Sequence, residues 1–371
     1  MPRLRRVTCN DPGYTRRKAG RGFVYLDTSG DRVTDPELVT RMRALAIPPA
    51  WTEVWICTDE LGHLQAVGTD AAGRRQYLYH PAWRERQDRE KFDHMLLFGR
   101  ALPRIRKTCA KRLARPELDR DRVLACAVRL LDLGFFRIGT EGYAEQHQHY
   151  GLATIRKTHV SFDGDVITFD FVAKSGKRRV QSVVDPAVHE IVSQLKRRRG
   201  GGPELLAYKV RGSSSISAAG ASGPQGPSSS KRSRAGWWRD VKSAEINEFI
   251  KEIGGDEFTA KDFRTWSATV LAAVALAVSA DAPKTGTGRK RAVARAMKEV
   301  AHYLGNTPAV CRSSYVDPRV VDRFQAGVTI APALSKLGEG ATFGQLAIQG
   351  AIETAVLDLL DDAPATTVAA A

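Results

Sequence analysis

The spacing of apolar residues changes along this chain, and the changes mark its parts. Over the first ninety or so residues, short runs rich in aromatic and β-branched residues stand between turn residues. They are Gly22–Asp27 (GFVYLD), Thr52–Cys57 (TEVWIC) and His63–Gly68 (HLQAVG). Such runs predict strands, and TDELG between the last two predicts a hairpin connection. In the same stretch DPELVTRMRALA has helical spacing behind Asp35-Pro36, a residue pair suited to an N-cap and a first helical position. In GRRQYLYHPAW, alternation puts Gln76 and Leu78 on one face of a strand and Tyr77 and Tyr79 on the other.

From about Trp83 the period becomes helical. RVLACAVRLLDLGFF places Val123, Ala127, Leu130, Leu131 and Gly134 at helical intervals, with Arg137 just beyond, at a break between Gly134 and Gly139. Period two returns in HVSFDGDVITFDFV and FDFVAKSGKRRVQSVV, which predict two hairpin-like units turning at Asp163-Gly164 and near Ser175-Gly176. Lys174 then sits at a hairpin tip. Trp266–Val278 predicts an apolar helix with Arg264 just ahead of it. In HYLGNTPAVCRSS, Gly305 and Pro308 end one helix and begin another, and Tyr315 follows.

Two stretches break the pattern. Arg211–Gly236 (RGSSSISAAGASGPQGPSSSKRSRAG) is rich in Ser, Gly, Pro and Ala with a basic end. Such a composition cannot build a core, so a disordered insert is expected, with its flanks ELLAYKV and WWRDVKSAEINEFIKE abutting in the fold. DAPKTGTGRKR reads as a shorter flexible loop, and Ala363–Ala371 as a tail.

At 371 residues the chain exceeds one compact core, so two domains are expected. The net charge of +16, from 57 Lys+Arg against 41 Asp+Glu, points to a polyanion, either nucleic acid or an anionic membrane surface. A membrane span is not indicated: the most apolar stretch, Ala268–Ala280, is too short and carries Thr269 and Ser279. The first 22 residues are basic without an apolar core, which excludes a secretory signal. Their arginines suit a transit peptide, against which Asp11 and the missing amphipathic period count. The five cysteines are scattered with no CxxC spacing, so neither a zinc site nor a disulfide framework is suggested and a reducing cytoplasm fits. His147 and His149 form a His-x-His pair, but without partner ligands they read as a polar loop.

The candidate chemistry lies in five residues: Arg137, Lys174, Arg264, Asn306 and Tyr315. Two guanidiniums, an ammonium and an amide could hold one phosphate while a phenol attacks it. The cations supply the charge that phosphoryl transfer requires, so no metal is called for. A lysine on a mobile hairpin tip can enter a groove beside DNA and deliver a proton. Each residue also has an ordinary reading. Lys174 suits a solvated turn, Arg264 an ion pair with Asp262, and Tyr315 a packing position. Arg74, Arg75, Gln76, Tyr77 and Tyr79 suit phosphates and base edges, or an ordinary edge strand.

Five stretches in order resemble the poxvirus-like bacterial group of type IB DNA topoisomerases: GRRQYLYH, RIGTEGYAEQHQHYGLATIRKTHV, FVAKSGK, KDFRTW and LGNTPAVCRSSYVDP. The resemblance implies an α+β protein with a small β-rich N-terminal domain, here 1–90, and a larger, mainly α-helical catalytic domain with β-hairpins, here 91–371, together forming a C-shaped clamp on duplex DNA. It makes Tyr315 the nucleophile of a 3′-phosphotyrosyl intermediate. Arg137 and Arg264 become the transition-state donors and Lys174 the general acid. Gln76, Tyr77, Tyr79, Tyr143 and Lys261 match positions that contact DNA in relatives, and Arg74 lies beside them. The enzyme would be a cytoplasmic, nucleoid-associated bacterial monomer using neither ATP nor a metal. One residue departs from the pattern. Many members have His where this chain has Asn306, whose amide donates a hydrogen bond but cannot become an imidazolium. The same pocket occurs in tyrosine recombinases, although the β-rich GRRQYLYH domain fits a topoisomerase better. A DNA-coating protein would explain the charge alone.

Overall fold

A computed structural model describes residues 2–210, 237–279, 285–336 and 346–361. The Ser/Gly/Pro segment 211–236 and the tail 363–371 lie outside the described residues. The chain divides into two compact units, Met1–His94 and Met95–Ala371.

The first unit holds β1 (Gly13–Ala19), β2 (Gly22–Leu26), α1 (Pro36–Ala44), β3 (Thr52–Cys57), β4 (Leu64–Thr69) and β5 (Arg75–Tyr79). The strands form one antiparallel sheet in the order β2-β1-β3-β4-β5. Tyr25, Met42, Ile47, Val54, Ile56 and Ala66 make its core, with Tyr14, Trp51 and Leu78 packed against them. Asp35 caps α1, accepting from Glu37 N at 2.8 Å.

β1 corrects the reading of the N-terminus, because GYTRRKA is a strand inside the sheet. Its own side chains are mostly exposed, so no apolar alternation announces it. It is held instead by partners on both edges, Thr15 lying opposite Leu26 on β2 and Trp55 on β3. Arg16, one of the arginines that suggested a transit peptide, donates to Ile47 O, Pro48 O and Trp51 O at 2.8–2.9 Å and lies 4.1 Å over the Phe23 ring.

Helix α2 runs from Pro81 to Leu113. The second unit continues with α3 (Arg120–Gly134), α4 (Glu141–His147), β6 (Val160–Asp163), β7 (Val166–Ala173), β8 (Lys177–Val184) and α5 (Pro186–Arg197). It ends with β9 (Ala207–Val210), β10 (Trp237–Asp240), α6 (Ser243–Gly254), α7 (Ala260–Val278), α8 (Gly286–Leu304), α9 (Pro308–Ser314), α10 (Pro318–Gln325) and α11 (Ala351–Leu360). α3 is the central helix, buried over almost its whole length. Asp132 on α3 accepts from Arg106, which also donates to Glu353 on α11, and Glu353 accepts from Trp266 Nε1 at 2.8 Å. Removing one member of such a buried charge set costs about 3–5 kcal/mol, so this network fixes α7 and α11 to the core.

The predicted hairpin units share β7 and form one three-stranded sheet, β6-β7-β8. The flanks of the insert do abut: β9 and β10 pair antiparallel with Trp237 opposite Val210. Two boundaries differ from expectation. α7 begins at Ala260, under a Thr259–Asp262 capping arrangement, so Arg264 lies within the helix rather than ahead of it. α8 begins at Gly286, capped by Thr285, so the second half of DAPKTGTGRKR is helix despite its two glycines. Among the described residues no helix is long and apolar enough to cross a membrane.

Candidate active site

Arg137 stands in the irregular segment after α3. Phe135 leaves the helix in the left-handed region (φ 54°), and Gly139 turns the chain again (φ 73°). The segment is pinned by Leu152 N and Ala153 N, which donate at 2.8 Å to Arg137 O and Ile138 O. Gly139 and Gly151 lie back to back there. A Cβ on Gly139 would meet Gly151 Cα at 2.6 Å, so glycine lets the strap close on the arginine. The Arg137 side chain is half-buried and donates from Nη2 to Asn306 Oδ1.

Arg264 is buried on α7. Its Nη2 donates to Leu304 O at 2.9 Å and its Nη1 to Phe135 O. The guanidinium thus joins the end of α8 to the break after α3, while Asp262 accepts from Thr259. Burial and the like charge of Arg137 lower the pKa of Arg264, with Tyr315 opposing. The guanidinium lies 5.5 Å from the Tyr315 ring.

Tyr315 ends α9. Its backbone is held by α7, because the Thr269 hydroxyl donates to Tyr315 O at 3.3 Å and accepts from Asp317 N at 3.2 Å. One helix therefore carries a buried guanidinium and also grips the chain just after the phenol. Burial alone would raise the pKa of the phenol. The Arg264 and Arg137 guanidiniums, with a smaller share from Lys261, outweigh burial and hold it below its ordinary value. Asn306 follows the left-handed Gly305 that caps α8. Its Oδ1 takes the Arg137 bond, while its Nδ2 is buried without a hydrogen-bond partner and has the weakly accepting Cys311 thiol nearby. Cys311 and the other cysteines are free, and burial pushes the Cys311 thiol up.

Lys174 opens the turn between β7 and β8, where Ser175 (φ 66°) and Gly176 (φ 70°) are both left-handed. Its side chain is exposed, and it lines one cavity together with Arg137, Arg264, Lys177 and Arg179. Four of the five candidate residues, Arg137, Arg264, Asn306 and Tyr315, are thus linked by hydrogen bonds, ring contacts or charge coupling, and Lys174 stands at the mouth of the same cavity. The arrangement can hold an oxyanion between two guanidiniums beside a phenol of lowered pKa. Lys261 is exposed on the first turn of α7, within electrostatic reach of Tyr315.

The remaining candidates are spread over both units. In the first, Tyr77 and Tyr79 project from the edge strand β5, 46% and 38% exposed, with near-parallel rings 6.2 Å apart. Gln76 is half-buried on the other face, its amide on Asp70 at 2.9 Å. Arg74 donates to the same carboxylate at 3.0 and 2.8 Å, which holds Asp70 at about 2. In the second unit Tyr143 is exposed on α4, packed against the rings of His147 and His149 at 4.6 and 5.7 Å. Among the described residues no group of three or more His, Cys, Asp or Glu could hold a metal.

Arg179, the residue missed in sequence, lies within KRRV, which reads as a run of solvated charge. The available signal was alternation: Arg179 and Gln181 are half-buried on one face of β8, while Arg178, Val180 and Ser182 are exposed on the other.

Residues 80–331 match the family model of the eukaryotic DNA topoisomerase I catalytic core, and residues 22–70 that of the bacterial DNA topoisomerase IB N-terminal domain. The chain is 30% identical over 315 residues to the DNA topoisomerase 1B of Acanthamoeba polyphaga mimivirus, covering 84% of this chain and 88% of that protein. It is 22% identical over 264 residues to the DNA topoisomerase 1B of vaccinia virus, covering 71% of this chain and 73% of the relative. The chain belongs to the type IB DNA topoisomerase family and is an enzyme of that class.

Proposed function

We propose that this enzyme relaxes both positive and negative supercoils in duplex DNA through a transient break in one strand, the first unit serving as a DNA-binding domain and the second as the catalytic domain. Tyr315 gives up its phenolic proton to solvent, attacks a backbone phosphorus and takes its 3′ side as a phosphotyrosyl ester. The 5′ oxygen departs with a proton from Lys174. Arg137, Arg264 and the Asn306 amide bind the non-bridging oxygens as charge builds on them. The nicked strand rotates about the intact one, and the 5′-hydroxyl then reverses the attack. The ester conserves the phosphodiester energy, so ATP is not consumed, and the guanidiniums carry the charge that a metal carries in other phosphoryl-transfer enzymes. The observation that supports this reading most directly is the buried Arg264 guanidinium 5.5 Å from the Tyr315 ring, lining one cavity with Arg137 and Lys174.

Plasmid relaxation in EDTA without ATP tests it. The expected result is full relaxation of supercoils of either sign, with a covalent protein–DNA adduct trapped by denaturant. Tyr315→Phe should leave non-covalent DNA binding intact and abolish the adduct. A strict Mg²⁺ requirement, or an adduct formed by Tyr315→Phe, would defeat the mechanism. Recombination between paired sites without relaxation would mark a tyrosine recombinase instead.

A further inference from the structure

The turn that carries Lys174 is exposed, with Ser175 and Gly176 both left-handed. Its strands, however, are fastened to the rest of the cavity. From β8, Arg179 donates to His302 O at 3.0 Å and Tyr303 O at 2.6 Å, two of the last carbonyls of α8. Two residues along on the same face, Gln181 donates from Nε2 to Gly134 O, at the end of α3. The fit at Arg179 is close. A Cβ on Gly305, which has φ 65°, would stand 2.9 Å from Arg179 Nη1 and would push the guanidinium aside. The guanidinium is half-buried and lies near Arg137, and burial together with that like charge lowers its pKa. A cation kept there despite both costs needs a compensating task, and its two carbonyl bonds supply one: they join the lysine hairpin to the end of α8, next to the turn that carries Asn306.

We propose that Arg179 is a positioning residue that docks the β7–β8 hairpin onto the end of α8 and thereby aims Lys174 at the scissile phosphate. The inference deepens the proposed mechanism and rests on its assignment of Lys174. The two Arg179 bonds end on backbone carbonyls, which suits a holding role, whereas the Arg137 bond goes to the Asn306 side chain.

Single-turnover cleavage of a duplex by the full chain tests this with Arg179→Ala, Lys174→Ala and the double variant. Misplacing an acid by about 1 Å can cost roughly a hundredfold, so Arg179→Ala should slow cleavage roughly ten- to hundredfold. The double variant should cleave no more slowly than Lys174→Ala alone, because a positioning residue has nothing left to aim. DNA with sulfur in place of the 5′-bridging oxygen leaves as a thiolate that needs no proton. It should restore Arg179→Ala and Lys174→Ala together, while Arg137→Ala stays slow. Arg179→Lys, which can still donate to one carbonyl, should fall between wild type and Arg179→Ala, and thermal melts identify any variant that fails to fold. Additive losses in the double variant, or a sulfur substrate that rescues Lys174→Ala and leaves Arg179→Ala slow, would overturn the inference. A sulfur substrate that rescues neither refutes Lys174 as the acid, and the double variant still decides whether Arg179 acts through it.

Discussion

Arg264 is buried and donates to two backbone carbonyls, whereas Tyr77 and Tyr79 are exposed on an edge strand. The two regions face the same polymer in the proposed mechanism and are prepared for it differently. In the second unit the desolvation of the guanidiniums is met at folding, and α7 holds both Arg264 and the backbone of Tyr315. Donors fixed in this way need no reorganisation when charge develops on a phosphate. In the first unit Arg74 and Gln76 share the Asp70 carboxylate, and the tyrosine rings rest on each other. Groups of that kind can adjust to a polyanion as it arrives. The first arrangement suits rate and the second affinity, and substitutions in the two regions should separate accordingly.

The largest effects are expected at the two arginines. Arg137→Ala and Arg264→Ala should each slow single-turnover cleavage roughly a hundredfold or more, about 3 kcal/mol for one preorganised donor. They should differ in stability. Arg264→Ala leaves Phe135 O and Leu304 O without this donor, at about 1–3 kcal/mol for each carbonyl left unsatisfied, and should lower the melting temperature clearly. Arg137→Ala loses a bond to a side-chain amide and should melt close to wild type. If Arg264→Ala cleaves slowly but melts like wild type, its carbonyl bonds do not hold the frame together, and the contrast with the tyrosine face fails.

What was legible in the sequence follows the same division. Strands β3 and β4, helix α1 and the β7–β8 turn were readable because their apolar period and turn residues are local. Arg137, Lys174, Arg264, Asn306 and Tyr315 were readable as a set through resemblance, since each alone has a commonplace reading. β1 was not, because its place depends on pairing with strands on both sides and only Tyr14 marks its face. Arg179 was not, because nothing in KRRV says that the end of a helix more than a hundred residues later will accept from it. The start of α8 was misread for a similar reason, its glycines outvoting the Thr285 cap.

A smaller effect is expected on the tyrosine face. Tyr77→Ala and Tyr79→Ala should weaken duplex binding by roughly tenfold or less, about 1.4 kcal/mol at most. The cleavage rate at saturating enzyme should be unchanged, since neither ring lines the cavity of Arg137, Lys174 and Arg264. Titration of labelled duplex, paired with single-turnover cleavage at saturation, separates the two quantities. A loss confined to the saturated rate would place these rings in the chemistry and erase the distinction between the regions.

The smallest effect concerns Asp70. Its carboxylate is held at about 2 by Arg74, with Gln76 contributing, so it stays ionised at any pH near neutrality. A depressed carboxylate stabilises the fold above its ordinary range, and that contribution disappears only as the pH falls toward 2. Binding measured near neutral pH should therefore carry no titration from this group. Asp70→Asn removes the negative charge that faces Arg74 and so raises the net positive charge at this edge of the first unit. Each added phosphate contact steepens the dependence of log affinity on log salt by about 0.9 on duplex DNA, so the variant should bind somewhat more tightly at low salt and show a slope steeper by about that amount. Cleavage at saturation should not change. A slope equal to that of wild type would mean that Arg74 meets no phosphate even without the Asp70 charge, and that the charged edge beside β5 serves the fold of the first unit rather than its grip on DNA.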